Sequence, residues 1–289
     1  MRPAELALVT ALVVMSLIAW LHPQRLSFSL GASHFTVALL FAVAALALGE
    51  ERSGWRYWCR ELLPLPVVPY IFLSLGKLIP VVNPRVCDKL LLGWDRALLG
   101  REAQAALYAI PLPPWAADLL TLAYSSFFFL PLTLAVCLVW RHDPILPRVS
   151  AAILFTFLLS YLGYFVVPAY GPRTTVAEQR YLALPPGVIG EPIRDLLDNM
   201  EKTKTDAFPS GHTMVTLVTL FCARRRLRPL YNLLLPIGTL LIAATMLLTY
   251  HYVADVLAAL PFDVAALALA AWLTGPIPQA ASKRSVAAH

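Results

Sequence analysis

The sequence predicts an all-α, polytopic membrane helix bundle of about eight spans. Three observations carry that prediction. Hydrophobic residues make up 59% of the 289 and charged residues only 14%, where soluble globular domains carry about 25% charge. Mean hydropathy is +0.68. Apolar windows of spanning length recur along the chain, and a bilayer core of about 30 Å needs roughly 20 such residues.

The windows fall near 4–21, 33–49, 62–81, 116–140, 148–168, 210–223, 229–250 and 252–273. The first follows only Met1 to Glu5 with no small-residue cleavage site after it, so it reads as a retained helix. Pro64, Pro66 and Pro69 make the start of the third irregular. In the connection 82–115, apolar residues recur at helical spacing between charges. That pattern predicts either an amphipathic helix at the membrane surface or an ordinary packed loop helix. Pro111, Pro113 and Pro114 then break the chain ahead of the fourth window. The sixth window is short, as suits a helix whose first turn faces a cavity. Cys59, Cys87, Cys137 and Cys222 form no Cys-x-x-Cys pair and read as small buried hydrophobes.

Cations set the sidedness. Arg2, Arg52, Arg56, Arg60, Arg141, Arg148, the cluster Arg224 to Arg228, Lys283 and Arg284 fall mostly in short connections on one side. That side is assigned to the cytoplasm, which leaves 169–209 and the Tyr250–His251 corner outside. The expected location is a bacterial inner (plasma) membrane. The expected organisation is 1–58 as N-terminal transmembrane helices, 59–275 as a core and 276–289 as a disordered cytoplasmic tail.

Three polar fragments interrupt this apolar pattern on the predicted outer side. In Pro209-Ser210-Gly211-His212, proline suits the first helical position, Ser210 can cap, and Gly211 lets a ligand approach the backbone. Free amides at a helix start attract phosphate, and His212 can exchange a proton near neutral pH. In His251-Tyr252-Val253-Ala254-Asp255, four-residue spacing puts His251 and Asp255 on one helix face. A carboxylate there can hold one imidazole nitrogen and leave the other nucleophilic. In Tyr170-Gly171-Pro172-Arg173, arginine offers a planar fork for phosphate oxygens. Each fragment alone has an ordinary structural explanation: a helix start, a stitching pair and an interfacial anchor. An even number of crossings separates His212 from His251, so all three fragments meet at one face.

The order GPR, PSGH, then His-x-x-x-Asp resembles the type 2 phosphatidic acid phosphatase superfamily, which shares its site with vanadium haloperoxidases. The forms DAFPSGH, LTYHYVAD, WDRALLG and AYSSFFFLPL are most similar to its inositolphosphotransferase-like branch, related to fungal inositol phosphorylceramide synthase. The resemblance covers roughly 60–275 and implies a six-helix lipid-phosphatase-like core. It implies that His251 attacks phosphorus and becomes a phosphohistidine, that Asp255 orients and charge-stabilises it, and that His212 is the acid and then the base. Arg173 and the amides around Ser210 and Gly211 would bind phosphoryl oxygens. Departures stand at Val166, Thr174, Ala244 and Thr245, where the phosphatases carry lysine, proline, serine and arginine. Lys77, Lys202, Lys204 and Arg180 are candidate replacement cations, and Asp206 either caps its turn or contacts a headgroup.

The implied function is an integral membrane lipid phosphatase. A lipid phosphotransferase using an alcohol acceptor is the alternative, with inositol phosphate or a similar headgroup as the group moved. A non-enzymatic transporter with a His/Asp proton relay would call for internal repeats, and none is evident in the sequence. The expected partners are a membrane lipid and water or an alcohol, with no nucleic acid, cofactor or metal. Oligomeric state is not legible.

Overall fold

The structure, a computed structural model, describes residues 1–51, 53–177, 184, 189–200 and 203–275. Among them all regular structure is helical, apart from one isolated parallel bridge between Ala169 and Asp206. The helices are α1 (Pro3–Leu21), α2 (Phe28–Leu48), α3 (Gly54–Leu62), α4 (Val67–Val82), α5 (Asp88–Leu99), α6 (Arg101–Ala109) and α7 (Pro114–Ser125). They continue with α8 (Phe129–Trp140), α9 (Leu146–Val166), α10 (Gly190–Met200), α11 (Gly211–Arg226), α12 (Arg228–Leu247) and α13 (Val253–Thr274).

Each of the eight apolar windows coincides with helix, but not each with a full span. Six helical stretches are long and apolar enough to cross a membrane, or up to seven if α7 and α8 count as one. Those two are bent by 45° at their junction. The remaining window is α11, only 16 residues long, with Thr213, Thr216 and Thr219 buried along it. It lies inside the bundle rather than on its surface, so it needs less apolarity than a lipid-facing helix. Leu63 to Pro66 separate α3 from α4, where the prolines predict irregular backbone. The connection 82–115 holds two helices, α5 and α6.

The centre of the bundle is α9. Its buried residues run all the way round, from Leu146 and Val149 to Tyr161 and Tyr164. A helix apolar on every side is a core helix, and α9 meets α1, α4, α8, α11 and α13. On α13 the buried stripe is Ala254, Asp255, Ala259, Asp263, Ala266 and Ala270. Small residues there let the backbones of α9 and α13 approach closely. At the end away from the three polar fragments, Arg2 bonds Glu50 and Glu61 while Arg60 bonds Glu5 and Glu50, at 2.8–3.0 Å. That network ties α1 to α3.

All four cysteines are free. Only Cys222 is buried; Cys59 is exposed on α3, so the buried-hydrophobe reading fails there. Lys202, Arg180 and the tail 276–289 lie outside the described residues.

Candidate active site

The three fragments meet at one end of the bundle. Ser210 is the N-cap of α11, and its hydroxyl accepts the Thr213 N–H at 3.3 Å. Pro209 therefore sits before the cap rather than at the first helical position. Gly211 is required by packing: a Cβ there would strike the Tyr164 hydroxyl and stand 3.4 Å from Ser160 Oγ. The Ser210 amide is occupied by the Asp255 carbonyl at 3.1 Å. Among the described residues the amides of Gly211 and His212 have no acceptor, as expected for the first positions of a helix.

His251 lies on the corner before α13, not on the helix. Tyr252 is the N-cap, and its N–H donates to Asp255 Oδ2 at 2.8 Å. The expected pair of His251 and Asp255 does come together, but with His251 ahead of the helix and Asp255 also serving its cap. His251 Nδ1 is 2.9 Å from the Ala207 carbonyl oxygen and 3.6 Å from Asp255 Oδ2. A carbonyl only accepts, so Nδ1 carries the proton and Nε2 keeps its lone pair. The backbone orients the ring, while Asp255, fully buried, places a carboxyl oxygen nearby. Two further bonds fix the corner, from the Tyr250 and His251 amides to the Thr245 carbonyl, both at 2.9 Å.

His251 Nε2 is 3.4 Å from His212 Nδ1. Since Nε2 is the acceptor, the proton of that contact belongs to His212 Nδ1. His212 also stacks on Tyr124, with ring centroids 4.5 Å apart, and contacts Phe127 at 4.3 Å. Tyr124 stacks in turn on Tyr250 at 4.4 Å, and the Arg173 guanidinium lies 4.6 Å over that ring. An aromatic column therefore runs from the histidine to the arginine, with cation–π attraction at its end. Arg173 is 6% exposed, and its amide donates to the Thr249 carbonyl at 2.7 Å. Gly171, two residues earlier, has φ +87°, and a Cβ would collide with the Tyr250 carbonyl.

A family model described as the PAP2 superfamily matches residues 89–270. The chain belongs to the PAP2 superfamily. It is also 33% identical over 120 residues to a PA-phosphatase related-family protein of Dictyostelium discoideum, a match covering 37% of this chain and 22% of that protein. The chain thus aligns with about a fifth of that relative's length. No solved structure matches significantly.

The PAP2 match includes all three fragments, and the structure places Arg173, His212, His251 and Asp255 together. Asp206 is buried and lines a mostly apolar cavity of about 190 Å³ with Phe72, Tyr124, Phe127, Tyr164 and His212. Lys204 is exposed, and Lys77 is exposed on α4 near His34 of α2.

Sequence reasoning missed the supports of this candidate site. Asp88 accepts the amides of Tyr170 at 3.0 Å and Gly171 at 2.9 Å, and the Tyr252 hydroxyl at 3.1 Å. Asp95 accepts the amides of Val253 at 3.1 Å and Ala254 at 2.7 Å. Burial pushes the Asp95 carboxyl above its usual range, opposed by those two amides and the Tyr108 hydroxyl. The one signal was the acid of WDRALLG standing in an amphipathic stretch.

Proposed function

We propose that the chain is an integral membrane lipid phosphatase acting through a phosphohistidine at His251. One observation carries the reading: the Nε2 lone pair of His251, its ring oriented by Ala207, faces the N–H of His212 Nδ1, the two nitrogens 3.4 Å apart. Nε2 attacks phosphorus, the bond from phosphorus to the lipid oxygen breaks, and His212, entering the step as the imidazolium, gives its Nδ1 proton to that oxygen and becomes the neutral base. Water then attacks phosphorus, its proton passes to His212, and the P–N bond breaks to release phosphate. Arg173 and the amides of Gly211 and His212 hold the phosphoryl oxygens, because phosphoryl transfer depends mainly on positioning and charge stabilisation. Attack needs about 3–3.5 Å and proton transfer about 2.6–3.2 Å, so the entering phosphoryl group parts the two rings.

The mostly apolar cavity opens beside His212, where the departing oxygen sits, which suits a lipid leaving group. The site lies at the end of the bundle away from Arg224, Arg225 and Arg228, and the cation asymmetry supports reading this as the extracytoplasmic end. Transfer to an alcohol is the second reading. The same cavity admits an apolar acceptor, and Val166 stands where the phosphatases carry lysine.

The test is turnover of purified protein against phosphatidate, a polyprenyl diphosphate, phosphatidylglycerol phosphate and a phosphoinositol donor, with and without an alcohol. Phosphate release that needs no alcohol and disappears in His251→Ala supports the phosphatase. A product formed only with alcohol identifies the transferase, and no turnover across the panel overturns both.

A further inference from the structure

Helix α5 is built inside out for a surface helix. Its exposed side carries Leu90, Trp94 and Leu98, four residues apart, while its buried positions are Asp88, Leu91 and Asp95. Aspartate is almost never fully buried without partners, and Asp95 is 0% exposed. An apolar outer stripe suits a helix seated at a membrane interface. The two acids are seven residues apart, about two turns on one face, and both point at the site.

Their backbone grips fall on different parts of it. Asp88 takes the consecutive amides of Tyr170 and Gly171, immediately ahead of Pro172 and Arg173, so it fixes the turn that presents the guanidinium. It also receives the Tyr252 hydroxyl, which lies 2.9 Å from Thr175 Oγ1 on the far side of the same turn. Asp95 takes the amides of Val253 and Ala254, the first two residues of α13, so it fixes the corner that presents His251. Bonds from amides to a carboxylate are charge-assisted and short, and those at a helix start gain from the helix dipole. No distance places either carboxylate against the imidazoles.

We infer that Asp88 and Asp95 are positioning residues with separable roles, Asp88 for the anion-binding arm and Asp95 for the nucleophile. The inference rests on the phosphoryl-transfer reading. It makes α5 the common scaffold on which arm and nucleophile are registered, two loops that are otherwise about eighty residues apart in sequence.

The test compares full-length Asp88→Asn and Asp95→Asn in detergent or lipid nanodiscs by two readouts. One is the affinity for inorganic orthovanadate, which occupies a phosphate site without reaction. The other is the rate of phosphoenzyme formation from radiolabelled phosphatidate at saturation. Asparagine keeps the shape but removes the charge and one acceptor. Asp88→Asn should weaken vanadate binding about tenfold or more, the scale of one lost charge-assisted bond. Asp95→Asn should slow phosphoenzyme formation about ten- to a hundredfold by the same scale, with vanadate affinity within about twofold of wild type. Should either variant fold poorly, Asp88→Glu and Asp95→Glu perturb the same two grips more gently and should divide the readouts the same way. Equal losses in both readouts that follow the thermal midpoint would mean ordinary structural acids and overturn the inference, as would wild-type values in both. A wild type that binds vanadate but forms no phosphoenzyme defeats the functional reading instead, and the vanadate comparison of the two variants still decides the roles.

Discussion

Replacing Asp255 by asparagine separates orientation from charge at the proposed nucleophile, His251. His251 Nδ1 is held by the Ala207 carbonyl at 2.9 Å, and Asp255 Oδ2 stands further off at 3.6 Å. Asparagine can still accept the Tyr252 amide, so the cap and the ring position should survive. In the proposed mechanism Asp255 is an anion facing an imidazole that becomes positive as the P–N bond forms, and asparagine removes that charge. Two unit charges at that separation interact by about 4–5 kcal/mol at an effective dielectric near 20. At about 1.4 kcal/mol per factor of ten, that corresponds to roughly a thousandfold in rate. The assay is rapid-quench formation of phosphoenzyme from radiolabelled phosphatidate, with orthovanadate affinity as the control for geometry. The expected result is a rate lower by about three decades with vanadate affinity changed less than about fivefold. A rate within tenfold of wild type would refute the electrostatic role. Lost vanadate binding alongside the lost rate would show that Asp255 orients the site after all.

Other outcomes follow from the same geometry. His212→Ala should slow phosphoenzyme formation from phosphatidate by about 10²–10⁴ but affect p-nitrophenyl phosphate much less, because nitrophenolate leaves without a proton; equal losses on both substrates would contradict the general-acid role. Gly211→Ala forces a methyl against Tyr164 and Ser160 and should cost about 1–3 kcal/mol in unfolding free energy. Adding Tyr164→Phe should recover part of that loss in the same thermal melts. Arg173→Lys keeps the charge but loses the planar fork, and should weaken orthovanadate binding about tenfold.

Much of the site was legible because it is local. PSGH carries its own cap and helix start, and the run of apolar windows marks the helices from composition alone. The spacing of His251 and Asp255 brought the pair to 3.6 Å, although the helix that the spacing assumed begins only after His251. Asp255 starts that helix by taking the Tyr252 amide, so its partner lies outside the repeat that the spacing rule describes. Asp88 and Asp95 stayed hidden because their partners are 82 to 164 residues away and include backbone amides, which no motif records. The column of Tyr124, Tyr250 and Arg173 is likewise a product of α7 meeting the corner before α13. In a membrane sequence rich in aromatics, one tyrosine in AYSSFFFLPL gives no sign of which ring it will touch.

The account turns on covalent chemistry at one nitrogen, and mass-spectrometric mapping of protein quenched during turnover of labelled lipid phosphate tests it most directly. It predicts a phosphoryl group on the peptide containing His251, lost in acid, stable in base, and missing from His251→Ala. Labelling that persists in that variant, or turnover that continues through it, would contradict the account.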